Sequence, residues 1–329
     1  MMFFNHKNTE PEQSRSSNPF FYYGGNYPGE TSEPFYHSGI KNYNLRVSVA
    51  THIGKVRGNH EDNFYLEGLY MNDIFRNDFS ASYTIHYADG MSFAVFDGMG
   101  GAAYGEVASE IAVQTLRKYE KKLKHADGTR MLDQLVSSYT TEANNAICDM
   151  LTEKHCQTGG TTFSMLYFLG DAVKLYYLGD SRIYRYQTDQ LTLLTRDHTV
   201  ANQKVEAAIY TEEEAKHSPD QHRLTLFIGS DRKKTGLNAD SRPPLPLEVG
   251  TKFVLCTDGL TNMCSDEEIA ELLSENYFNE AAVLVQAALQ NGGVDNITCI
   301  VLEVLPATDD KETDRSEERR VGKECRSRW

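Results

Sequence analysis

Nowhere in this sequence do about 18 or more apolar residues run together, and that lack excludes a membrane-spanning helix. The opening MMFFNHKNTEPEQ has no basic stretch leading into a long apolar one, so no export signal is read and a cytoplasmic location is expected. Cysteine is scarce, 6 in 329 residues, and no two stand as C-x-x-C. That spacing suits neither a thiolate zinc site nor a disulfide scaffold. Cys256 in FVLCT and Cys299 in NITCIVLEV are expected as buried, reduced thiols. Basic residues are also short, 33 Lys and Arg against 47 Asp and Glu, for a net charge of −14. A surface of that sign repels nucleic acid and anionic membranes, which removes both as partners.

What is present is enough apolar material, 40% of residues, for a real core. Residues 1–43 are rich in Asn, Ser, Pro, Gly and Tyr and show neither strand nor helix periodicity. They are expected as a disordered leader whose Tyr and Phe leave room for a docking role. Residues 44–306 read as one domain. Alternation from Leu45 marks a strand, and Phe93-Ala94-Val95-Phe96 is a buried strand that runs straight into Asp97-Gly98-Met99-Gly100-Gly101. Two amphipathic helices follow. The first places Val107, Ile111, Leu116 and Tyr119 near one face, and the second carries an apolar stripe from Leu132 to Leu151. A strand meander then turns at Gly170-Asp171 and Thr188-Asp189, which predicts antiparallel neighbours. The polar stretch 200–222 is expected as a mobile helical flap. Another apolar strand ends in Asp258-Gly259. Two further helices follow, one capped by Ser265 and one stopped by Gly292-Gly293, and Asp295-Asn296 opens the last strand. Residues 307–329 are expected as a disordered tail, of which 315–329 resembles translated sequencing-adapter read-through, foreign to the domain.

Asp97, Asp180, Asp258 and Asp295 each sit at a strand boundary. Carboxylates buried together are strongly unfavourable unless cations neutralise them, since each desolvated charge costs several kcal/mol and the group repels itself. Such a cluster implies metal. With oxygen donors and no Cys/His spacing, the ion should be hard, Mn²⁺ or Mg²⁺, with waters retained on it. Ions of this kind lower the pKa of a water and orient a phosphoryl group, and two of them about 3.5 to 4 Å apart stabilise both the attacking and the leaving oxygen. Arg57 would be the fixed fork on the phosphate oxygens.

Seven segments carry a resemblance: Arg57-x-x-x-Glu61-Asp62, Asp97-Gly98-Met99-Gly100-Gly101, Gly160-Thr161-Thr162, Gly179-Asp180-Ser181-Arg182, Asp197-His198-Thr199, Thr257-Asp258-Gly259-Leu260 and Asp295-Asn296-Ile297-Thr298. In order and spacing, over about residues 45 to 305, the chain resembles the metal-dependent serine/threonine protein phosphatases of type 2C (PPM-type), in a bacterial-like form. The resemblance implies an α+β fold, a four-layer αββα sandwich of two antiparallel sheets flanked by helices. It implies phosphorylated protein substrates, an opposing serine/threonine kinase and a metal-bridged hydroxide as nucleophile. By motif match Asp97 would bridge two Mn²⁺ or Mg²⁺ ions. The Gly98 carbonyl and Glu61 would serve one, and Asp258 and Asp295 the other. Asp180, with Asp258, matches a third, weaker site, and Arg57 matches the phosphate-binding arginine. Two departures stand out. His60 replaces the usual Asn before Glu61, and Met99 stands where many eukaryotic members have a His proposed as general acid, which leaves His198 as the acid candidate. A catalytically inert phosphoprotein-binding regulator of the same fold, or a small phosphate-ester hydrolase, are the alternatives. No feature argues for oligomerisation, and a monomer is expected.

Overall fold

Strands that are apolar on both faces need cover on both sides, and the architecture follows from that requirement. The computed structural model describes residues 43–71, 78–100 and 104–307. The leader and tail expected over 1–43 and 307–329 lie outside these residues except for Tyr43, which opens the first strand, and Ala307; Gly101 of the glycine-rich segment lies outside them too. In chain order come β1 (Tyr43–His52), β2 (Asn63–Leu66), β3 (Leu69–Tyr70), β4 (Asp78–His86), β5 (Ser92–Phe96) and β6 (Gly98–Met99), then α1 (Tyr104–Leu123) and α2 (Thr129–Glu153). The meander follows as β7 (Gly160–Thr161), β8 (Phe163–Leu169), β9 (Ala172–Leu178), β10 (Arg182–Gln187) and β11 (Gln190–Leu193). After α3 (Val200–Glu206), α4 (Glu212–Lys216) and a 3-10 turn (Pro219–His222) come β12 (Asp240–Ser241), β13 (Leu245–Pro246) and β14 (Lys252–Cys256). The chain closes with α5 (Asp258–Thr261), α6 (Asp266–Ser274), α7 (Glu280–Gln290) and β15 (Ile297–Pro306).

Two antiparallel sheets result, one ordered β11-β10-β14-β15-β1-β4 and the other β12-β9-β8-β5-β2-β3 with β13 also on β9. The period-2 alternation of each strand decides which layer each side chain enters. Along β5, Phe93 and Val95 join the core between the sheets, while Ala94 and Phe96 face α1 and α2. Along β14, Phe253 and Leu255 point into the same central core, and Val254 and Cys256 face α6 and α7. Three apolar layers therefore separate four structural ones, the αββα sandwich expected from the sequence. The Thr188-Asp189 turn holds both residues at positive φ, 48° and 57°, as a two-residue hairpin between β10 and β11 requires.

Some local expectations differ from the structure. Val107 is 37% exposed; the buried face of α1 runs through Ala108, Ala112, Leu116 and Tyr119, because small alanines let the helix approach the sheet closely. The segment from 200 to 222 is helical as expected, and it is pinned by Lys204 and Arg223 on the Asp220 carboxylate at 2.5 and 2.8 Å. The strand β4 at the sheet edge has no counterpart in the sequence reading, since its side chains are largely half-exposed and lack an apolar run.

One charged group lies deep in the helix-covered layer. Lys252 and Glu280 side chains are each 3% exposed and bonded at 2.5 Å, and Lys252 also donates to the Leu273 carbonyl at 2.6 Å and Asn276 Oδ1 at 2.7 Å. Lys252→Ala strands the Glu280 charge and is expected to cost about 3–5 kcal/mol in urea unfolding. A loss below about 1 kcal/mol would show that the pair is not buried in solution.

Candidate active site

The site grows from one carboxylate on each of several strand ends. Asp97 follows β5 directly and is held by its backbone: its N–H donates to Thr162 Oγ1 at 2.8 Å, and its carbonyl accepts from Thr162 N–H at 2.9 Å. Thr162 Oγ1 in turn bonds Ser181 Oγ at 2.6 Å, so the Gly-Thr-Thr and Gly-Asp-Ser-Arg segments act as struts between Asp97 and Asp180. Gly98 is required by close approach. A Cβ there would lie 2.2 Å from the Gly105 carbonyl oxygen at the start of α1 and 2.5 Å from that of Glu61. Arg182, one residue past Ser181, is held by Asp197 with N–H···O contacts of 2.7 to 3.2 Å and is thus a structural ion pair.

The loop that carries Arg57 and Glu61 is fastened by Asn296. Its Oδ1 accepts from Glu61 N–H at 2.7 Å, and its Nδ2 donates to the Ile53 and Asn59 carbonyls at 2.8 and 3.0 Å. Asp295, the neighbour of this staple, therefore meets the same loop, and Arg57 Nη2 donates to Asp295 Oδ2 at 2.6 Å. Asp258, the first residue of α5, accepts from Asn262 Nδ2 at 3.1 Å. Burial and Asp295 push the Asp258 pKa up, against the neighbouring Asp97 carboxyl, which pulls it down.

The electrostatics reflect this convergence. Burial, followed by the charges of Asp62, Asp258, Asp180 and Asp295, holds the Asp97 carboxyl well above the usual range. Burial and Asp258 do the same to Asp180; burial and Asp295 raise Asp258. Burial also lifts Glu61, against the pull of Arg57. Arg57, Glu61, Asp97, the Gly98 backbone, Asp180, Asp258 and Asp295 are thus brought together from remote parts of the chain. Among the described residues no three His, Cys, Asp or Glu side chains close on a single point as a ready-made metal cage. All-oxygen donors and mutual repulsion suit a hard divalent ion that keeps its own waters.

His198 lies at this end of the sandwich with both ring nitrogens engaged, Nδ1 by the Gly179 N–H at 3.0 Å and Nε2 by Asp240 Oδ2 at 3.2 Å. His60, the departure from the usual Asn, starts a buried relay. Its Nε2 bonds Thr51 Oγ1 at 2.9 Å, Thr51 bonds Thr298 Oγ1 at 2.8 Å, and Thr298 donates to Asp62 Oδ2 at 2.8 Å. Thr257 donates to the same oxygen at 2.8 Å. Burial lowers the His60 pKa to about 4, so it enters the relay neutral. Asp62, 2% exposed, is pushed up to about 8 by burial, with Asp258 and Asp295 adding to it against the two threonine bonds. The motif segments contain Asp62, Thr257, Thr298 and Asn296, whose roles appear only once the strands bring them together. Hydroxyls and an amide among apolar strand residues were the available signal. His222, 53% exposed with Nδ1 at 3.9 Å from Asp258 Oδ2, was missed as well, and a lone His in a polar stretch carries no signal.

Fold and site together define a class. The profile described as Protein phosphatase 2C matches residues 69–291, and the chain belongs to that family. The serine/threonine protein phosphatase PstP of Mycobacterium tuberculosis is 32% identical over 265 residues, 79% of this chain and 45% of that protein, so the chain spans less than half of that relative's length. The solved serine/threonine phosphatase of S. agalactiae is similar with a TM-score of 0.66 at 26% identity, covering 79% of this chain and 99% of that one. The catalytic domain of PstP, in complex with 2 manganese ions, gives 0.62 at 28% identity, covering 80% and 99%.

A pH dependence follows from the raised carboxyls. For Asp62 the ordinary value of 3.8 becomes about 8 in the folded chain. A raised folded-state pKa gives stability that is full below the unfolded value and lost as pH climbs through the folded one. Asp97, Asp180 and Asp258 shift in the same direction. The melting temperature of EDTA-treated protein is therefore expected to fall between about pH 5 and pH 8; a profile that rises over this interval would refute the repulsion.

Proposed function

We propose that this chain is a divalent-metal-dependent phosphatase that hydrolyses phosphoserine and phosphothreonine in proteins. The observation that carries the reading is the set of mutually repelling carboxyls, Asp97, Asp180 and Asp258 with Asp62 behind them, at the end of the sandwich beside Arg57. In this reading Glu61, Asp97, the Gly98 carbonyl, Asp258 and Asp295 hold two ions, Mn²⁺ or Mg²⁺, and Asp180 with Asp258 holds a third, weaker one. When bound, these ions supply Lewis acidity, making a water acidic enough to serve as nucleophile at neutral pH and offsetting phosphoryl charge.

The chain's own residues then bind and orient. Arg57 is half exposed and spends one donor on Asp295, which leaves the rest of its fork for phosphate oxygens. Asn296 keeps Arg57 and Glu61 in register with Asp295, and the Thr162–Ser181 strut keeps Asp97 in register with Asp180. The Thr257 and Thr298 hydroxyls hold Asp62 behind the carboxyls. Names of the relatives support serine/threonine phosphoproteins over small phosphate esters as substrates. Retention of every expected carboxylate argues against an inert phosphoprotein-binding regulator. The same reading gives the chain a cytoplasmic place in signal transduction, as a monomer opposing a serine/threonine kinase.

The test is turnover of a phosphopeptide panel beside small phosphate esters, with and without Mn²⁺. EDTA should abolish turnover and Mn²⁺ restore it, with phosphopeptides preferred. Asp97→Asn should lower kcat by about 100-fold or more while the chain still folds. Wild-type protein that stays inactive in millimolar Mn²⁺, or an Asp97→Asn variant at full rate, would overturn the reading.

A further inference from the structure

His198 grips both backbone groups of a single residue. Its main-chain N–H donates to the Gly179 carbonyl at 2.9 Å, and its ring Nδ1 accepts from the Gly179 N–H at 3.0 Å. Because Nδ1 accepts, the proton of the neutral ring sits on Nε2, which donates to Asp240 Oδ2 at 3.2 Å. The ring lies flat on Tyr177, with centroids 5.3 Å apart and planes 12° apart, and the side chain is 13% exposed. Tyr177 is itself the cross-strand partner of Asp240, so ring, tyrosine and carboxylate form one packed unit on β9 and β12.

Gly179 has little choice of conformation. Its φ is +104°, and a Cβ would lie 2.6 Å from Thr162 Cγ2, on the residue that also carries the strut to Asp97. Gly179 immediately precedes Asp180, so the peptide planes that His198 fixes set the direction in which the Asp180 carboxyl leaves the chain. The same histidine closes the base of the 200–222 segment, since its carbonyl accepts from Thr225 N–H at 2.8 Å beside the Thr199–Leu224 bridge.

We propose that His198 is a positioning residue. It holds the Gly179-Asp180 turn in the orientation the carboxylate cluster needs and ties that turn to the Asp240 edge strand, without passing a proton to the substrate. This deepens the phosphatase reading and rests on it for its effect on turnover. A proton donor needs an N–H turned toward the leaving oxygen, whereas here one ring nitrogen faces a backbone amide and the other faces Asp240.

Two substitutions separate the roles. In His198→Asn the side-chain oxygen takes the place of Nδ1 and can accept from Gly179, while nothing remains at Nε2. His198→Ala removes both contacts. The readouts are Mn²⁺ binding by isothermal titration calorimetry and kcat and KM across pH on a phosphopeptide. His198→Ala should weaken Mn²⁺ binding and kcat by about tenfold, and His198→Asn should recover both to within about threefold with the wild-type pH profile. An Asn variant as impaired as Ala, with one limb of the pH profile gone, would make the ring a proton donor and overturn the proposal. An Ala variant equal to wild type in binding and rate would overturn it too. Should His198→Ala not fold, the Asn variant decides alone, with retained binding and pH profile in favour and a lost limb against. If the wild-type protein shows no turnover at all, the phosphatase reading falls, but the order of Mn²⁺ affinities still decides whether His198 positions the turn.

Discussion

Repulsion among carboxyls in one poorly solvated place is the constraint on which the rest of this structure depends. Burial and the neighbouring charges raise the pKa of Asp62, Asp97, Asp180 and Asp258 alike, and the fixed positive charge near them is already engaged, Arg57 by Asp295 and Arg182 by Asp197. A protein that spent its folding energy on such a cluster for stability alone would be better served by apolar residues. The cluster makes physical sense as a charge trap for divalent cations, and the fold reads as the scaffold that keeps the trap from relaxing.

That scaffold works because two sheets end at the same place. β5 and β9 deliver Asp97 and Asp180 from one sheet, while β14 and β15 deliver Asp258 and Asp295 from the other. Three apolar layers hold the sheets in position. At the strand ends the packing changes character. Thr51, Thr257 and Thr298 form a buried hydroxyl chain beneath Asp62, and Asn296 staples a loop that is 235 residues distant in sequence. Hydroxyls and an amide suit this task because they satisfy buried carboxylates and backbone groups without adding charge.

Much of this was legible in the sequence. An apolar run broken by Asp-Gly marks a carboxylate at a strand end, and both Asp97-Gly98 and Asp258-Gly259 stood out for that reason. Three-and-four spacing marked the helices, though on α1 the large Val107 misled where the small Ala108 and Ala112 form the contact. What stayed hidden were residues whose role depends on partners far away in the chain. Asp62 looks like the second acid of a charged loop until Thr257 and Thr298 come to it across more than 190 residues. His198 invites a chemical role by residue type, and only the geometry shows its nitrogens turned to Gly179 and Asp240. The edge strand β4 was invisible because a largely half-exposed strand needs no apolar pattern.

With its pKa pushed up to about 8, Asp62 holds a proton near neutral pH when no cation is bound, and the repulsion that raises Asp97, Asp180 and Asp258 works in the same direction, so cation binding expels protons. Calorimetric titration of Mn²⁺ into chelator-stripped protein near neutral pH, repeated in buffers of different ionisation enthalpy, counts those protons directly. Release of about one or more protons per chain is the predicted result. Heats of binding that do not depend on the buffer would contradict it.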